Sequence, residues 1–137
     1  MLIVQCDFYN FSLDLYNSKK GHHDGASLRT CISRLYYSIY HNVLNWLCSY
    51  KADLLKQFNC GSHEKLQFCL KAIARESKNL KFNQLAIKLH NLHSKRCHAD
   101  YKLNDRHEES HVELMIKEIN SAQLLFEELT NSLQKSA

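Results

Sequence analysis

The chain has 137 residues, 45% of them hydrophobic and 23% charged, with a formal net charge of +4. That is the composition of one ordinary globular domain. It holds no proline and only three glycines, where about seven prolines would be usual. Sandwiches and barrels, which turn every few residues, are therefore excluded, and a single-domain, all-α, up-and-down bundle of about five helices is expected. No apolar run reaches the ~18 residues that span a membrane. Met1–Asp7 lacks a basic leader pattern, so a cytoplasmic chain is expected.

Apolar periodicity predicts the helices in chain order. The first covers about residues 2–18, with Leu2, Cys6, Tyr9, Leu13 and Tyr16 in phase. A polar loop, Ser18 to Gly25, follows. The second covers about 26–49, on a stripe of Leu28, Ile32, Leu35, Ile39, Val43 and Trp46. Asn59-Cys60-Gly61-Ser62 breaks the pattern, with Ser62 placed to cap a third helix to about 77. The fourth, about 80–100, carries Phe82, Leu85, Leu89 and Leu92. The fifth is expected to start near Asp105, where Asp105 and Glu108 have capping-box spacing, and to run through Val112, Met115, Ile119, Phe126 and Leu133.

Two places carry more than packing. On the second helix, Arg34 and His41 are seven residues apart. They differ by only about 20° in angle and lie about 10 Å apart along the axis. Ser38 and Asn45 fall on the same edge, and Tyr36, Tyr37 and Tyr40 surround it. Histidine moves protons near neutral pH, and arginine holds phosphate with a permanently charged fork. A proton carrier beside an anion clamp is what metal-free RNA cleavage uses; the plainer alternative is a solvated polar flank. At the end of the fourth helix, Arg96 falls where the stripe calls for an apolar residue. A buried guanidinium needs a partner, and Asp100 at i+4 can supply it; otherwise Arg96 snorkels and Asp100 is exposed.

Charge is unevenly spread. Residues 51–102 hold eleven Lys/Arg against four Asp/Glu, whereas residues 103–137 hold three against seven. The basic middle attracts phosphates without reading sequence, or simply forms a solvated lysine face. The six cysteines show no C-x-x-C and are expected to be mostly small buried hydrophobes. Cys60, His63, Cys97 and His98 lack the paired spacing of a zinc site, and no metal or cofactor is expected. His107 and His111 are four apart, but the run is His-Glu-Glu-Ser-His, not H-E-x-x-H.

Ser33-Arg34-Leu35-Tyr36-Tyr37-Ser38-Ile39-Tyr40-His41 resembles the HEPN-domain pattern S-R-x-Y-Y-x-x-[FY]-H. Ser62-His63 resembles a short motif at the start of the third helix in one HEPN branch. Arg96-Cys97-His98-Ala99-Asp100-Tyr101 resembles the R-x-x-A-D-Y that closes the fourth helix there. The three matches come in order and span nearly the whole chain. The resemblance implies a homodimeric helical bundle in which Arg34 and His41 of both protomers form a metal-independent endoribonuclease. Tyr37, Ser38, Asn45, His63, Arg96, Asp100 and Tyr101 would support the site or contact RNA. It further implies a toxin or phage-defence effector paired with a nucleotidyltransferase-type antitoxin. Some family members are inactive binding modules, which is the alternative. In the antitoxin-modified type, a tyrosine two residues after the histidine is adenylylated; that position is Val43 here, so this control does not carry over.

Overall fold

The computed structural model describes residues 3–136, and side chains for 7–134. All regular structure among them is helical: α1 (Ile3–Ser18), α2 (Gly25–Tyr50), α3 (Ala52–Gln57), α4 (Ser62–Ser77), α5 (Lys81–Tyr101) and α6 (Glu109–Ser136). The protein is an all-α bundle of six helices rather than five, the extra one being the short α3. No described helix is long and apolar enough to cross a membrane. The expected stripe residue Leu2 lies outside the described residues, as does the side chain of Cys6.

α2 is the central element and packs against α1, α5 and α6. Its residues Leu28, Ile32, Leu35, Ile39, Val43 and Leu47 step by three and four and are all buried, with Cys31 buried beside them. Asp24 caps it in extended conformation, its carboxylate accepting the Ser27 N–H at 2.8 Å. That bond holds the Asp24 carboxyl below its ordinary value. α5 contributes Phe82, Leu85, Leu89 and Leu92 to the same core, and α6 contributes Val112, Met115, Ile119 and Leu129.

Two helix starts differ from expectation. Gly61, not Ser62, is the N-cap of α4, and no side chain caps it. α6 begins at Glu109, because Asp105 is otherwise engaged: its carboxylate pairs with His98 Nε2 at 2.6 Å. At the actual start, the Glu108 N–H donates to His111 Nδ1 at 2.8 Å, so a histidine fills the role a glutamate has in a capping box. The cysteines are also more varied than expected. Cys31 and Cys69 are buried, Cys60 and Cys97 half-buried, and Cys48 exposed.

Arg29 ties α2 to the end of α5. Its guanidinium donates to the carbonyls of Ala99 (2.7 Å), Lys102 (3.1 Å), Leu103 (3.2 Å) and Asp105 (2.5 Å). Carbonyls at a helix C-terminus lack intrahelical partners and carry negative potential, so one fork here satisfies several of them. Arg29→Met should cost about 1.5–3 kcal/mol in urea denaturation, the range for hydrogen bonds to a charged group.

Candidate functional site

Arg34, Tyr37 and His41 occupy one edge of α2, where α1 lies against it. The His41 ring stacks on Phe8 with centroids 5.4 Å apart and planes at 12°. It also lies 5.9 Å from Tyr37 and 5.0 Å from Tyr40. The Arg34 guanidinium carbon is 6.0 Å from the Phe8 centroid and 5.8 Å from that of Tyr37. Arg34 and His41 therefore flank the same two rings. Arg34 is exposed and, among the described residues, makes no hydrogen bond or ion pair. Burial holds the His41 pKa below the ordinary 6.5. Its ring is therefore neutral at pH 7 and able to accept a proton.

Behind these rings lies a buried polar layer centred on Arg96, which is 7% exposed. Arg96 Nη1 donates to the Tyr37 hydroxyl at 3.0 Å and to Asp100 Oδ2 at 3.3 Å. The same carboxylate oxygen accepts the Ser33 hydroxyl at 3.3 Å. Nη2 donates to His93 Nε2 at 3.3 Å and to Cys97 Sγ at 3.5 Å. The guanidinium also lies within 6 Å of the Tyr36, Tyr37 and Tyr101 rings, a favourable place for a desolvated cation. Arg96 is thus buried and paired rather than snorkelling.

His63, at the second position of α4, completes the cluster. Its Nδ1 is hydrogen-bonded to the Tyr36 hydroxyl at 2.7 Å. Its ring stacks on His93 at 4.2 Å and lies 4.7 Å from Tyr40. Burial, with the nearby His93 and Arg96, pushes its pKa down to about 4. His93 is lowered too, by burial first and then by Arg96 and His90.

The expected site residues divide into three groups. Arg34, His41, Tyr37, His63, Arg96 and Asp100 are brought together. Tyr101 is 70% exposed and meets the cluster through its ring over Arg96. Ser38 and Asn45 do not join it. Ser38 is 5% exposed, and its hydroxyl bonds back to the Leu35 carbonyl at 2.6 Å, so it faces the core and cannot touch RNA. Asn45 lies one turn beyond His41, half-buried, with none of these contacts. Sequence reasoning missed Phe8, Ser33 and His93. For His93 the available signal was its place three residues before Arg96, on the same face of α5. Among the described residues, no group of three or more His, Cys, Asp or Glu is placed to hold a metal.

Three neutral, half-buried imidazoles make stability depend on pH. Each has a folded pKa below the unfolded value of 6.5. The unfolded chain therefore binds more protons in acid. Their contribution is complete above pH 6.5 and is lost as pH falls toward the His63 value of about 4. The His63 shift sets a ceiling of about 3 kcal/mol, which solvent access reduces to about 1–2. Urea denaturation at pH 7 and pH 4.5 should show that loss, and His63→Gln should remove much of it.

The fold and site together define an all-α bundle with a histidine–arginine–tyrosine cluster on its central helix. In comparisons with protein-family models, curated proteins and solved structures, the chain matches none.

Proposed function

We propose that this chain is a metal-independent endoribonuclease of the HEPN type, working as a homodimer. One observation carries the reading: the exposed Arg34 guanidinium, without a hydrogen bond or ion pair among the described residues, and the neutral His41 imidazole flank the same Phe8 and Tyr37 rings. His41 takes the proton from a ribose 2′-hydroxyl. The 2′-oxygen attacks the adjacent phosphorus and displaces the 5′-oxygen of the next nucleotide, leaving a 2′,3′-cyclic phosphate and a 5′-hydroxyl. Arg34 stabilises the extra negative charge on the phosphoryl oxygens. The partner's His41 returns a proton to the departing oxygen. The basic stretch of residues 51–102 draws RNA toward the cleft. The motif resemblance further supports a cytoplasmic toxin or phage-defence effector restrained by a nucleotidyltransferase-type antitoxin.

A second reading, an idle HEPN-type module that binds a nucleotidyltransferase, nucleotide or RNA, rests on a different fact. Among the described residues, His41 makes ring contacts but no hydrogen bond that orients its nitrogens. The test is incubation of purified protein with RNA, with and without EDTA, and assay of the ends. Cleavage unchanged by EDTA, giving cyclic phosphate, supports the ribonuclease. Loss of cleavage with EDTA refutes it, and binding without cleavage favours the idle module. Light scattering should report a dimer.

A further inference from the structure

A cavity of about 250 Å³ opens where the end of α5 and the start of α6 meet α2. Buried Ile32 and Met115 form its floor, and exposed Leu114 and Arg106 stand at its mouth. His107 and His111 also line it. None of these residues belongs to the Tyr37 cluster. The volume is below the ~300–1,000 Å³ of pockets that take drug-sized molecules, so its occupant is small.

The charges around the cavity are mostly compensated. Lys95 pairs with Glu118 at 2.5 Å, and the Asp105 carboxylate is hydrogen-bonded to His98 Nε2 at 2.6 Å. The Arg29 charge is directed at the carbonyl end of α5. Burial, with Arg29, His98 and His111 nearby, holds His107 below its ordinary pKa. Its buried Nδ1 has no hydrogen-bond partner. His111 Nδ1 accepts the Glu108 N–H, so its proton lies on Nε2. Arg106, by contrast, makes no hydrogen bond or ion pair among the described residues. The N-terminus of α6 adds positive potential beside it.

We propose that this pocket binds a small monocarboxylate with an apolar body, its chain on Ile32, Met115 and Leu114 and its carboxylate on Arg106. One uncompensated cation matches one negative charge, and the guanidinium fork matches the two carboxylate oxygens. The His111 Nε2–H supplies a further polar partner. An apolar floor selects against a bare ion, because a head group alone leaves the floor wet.

The test is titration of the full chain with octanoate, followed by amide NMR shifts and by calorimetry. Acetate, octanol and inorganic phosphate serve as head-only, body-only and phosphate probes. One-to-one octanoate binding that shifts amides of residues 94–98 and 106–115 is expected. Acetate, octanol and phosphate should each bind at least about tenfold more weakly. Arg106→Gln should weaken octanoate by about tenfold, the loss of a charge-assisted bond, and leave octanol unchanged. Arg106 is exposed and unbonded, so the variant keeps its fold. Octanol or phosphate binding as tightly as octanoate, shifts elsewhere, no binding, or an unaffected Arg106→Gln would each overturn the proposal.

Discussion

His41→Ala is expected to lower RNA cleavage by about 10²–10⁴-fold, the usual contribution of a positioned general base or acid. Arg34→Ala should lower it by about 10²–10³-fold, as removal of a transition-state donor does. Neither loss works through unfolding. Arg34 is exposed and bonded to nothing among the described residues. His41 gives up ring stacking against Phe8, worth about 0.5–1.5 kcal/mol. Melting temperatures should therefore stay near wild type while activity collapses. Arg34→Lys keeps the charge but not the planar fork, and should recover only part of the rate. Because the two groups act on one transition state, the double variant should be little worse than the worse single one. The pH dependence follows from the sign of the His41 shift. Burial holds that pKa below 6.5, and the mechanism needs one His41 neutral while its partner's is protonated, so kcat/KM should peak on the acid side of 6.5 and fall both in stronger acid and toward alkaline pH. Full cleavage by His41→Ala would rule out its role.

The core and the Arg34–His41 edge were legible in the sequence because both depend on spacing within one helix. Leu28 to Leu47 repeat at three and four, and no proline interrupts them. What the sequence hid depends on which helix lies opposite. α2 is packed by α1, α5 and α6, so its buried arc is wider than its hydrophobic stripe. Ser38 shares an edge with Arg34 on a helical wheel, yet it falls inside that arc. His63 and His93 stand thirty residues apart on different helices and meet only when α4 and α5 pack. Arg29 acts on carbonyls 70–76 residues away, and every residue type has a carbonyl, so no motif marks its targets. α3 has six residues, too few turns for a periodic pattern. At α6 the capping-box spacing was present at Asp105 and Glu108. The competing His98–Asp105 pair took the side chain the cap needed, and the helix began four residues later.

Arg96→Met is expected to destabilise the protein by about 3 kcal/mol, although it exchanges a charged side chain for an apolar one in a buried place. Breaking a buried pair by removing one partner costs about 3–5 kcal/mol, because the other charge stays behind. Here that charge is Asp100, whose side chain is 27% exposed, so water relieves part of the penalty and places the loss at the lower end. Tyr37 and His93 lose their donor as well. Methionine among the Tyr36, Tyr37 and Tyr101 rings returns some of the packing. Adding Asp100→Ala should therefore recover part of the stability, since it removes the stranded carboxylate; the coupling between the two changes measures the pair. Arg96→Lys keeps a charge near Asp100 but cannot span Tyr37 and His93 together, and should fall between. The effect on cleavage separates positioning from bulk stability. Tyr37→Phe removes only the hydroxyl, costs about 1 kcal/mol, and keeps the ring that Arg34 and His41 flank. Cleavage near wild type in Tyr37→Phe, with a lowered rate in folded Arg96→Lys, would assign the holding role to the ring and its cation contact. Equal stability of Arg96→Met and wild type would show that the buried network does not hold α2 to α5.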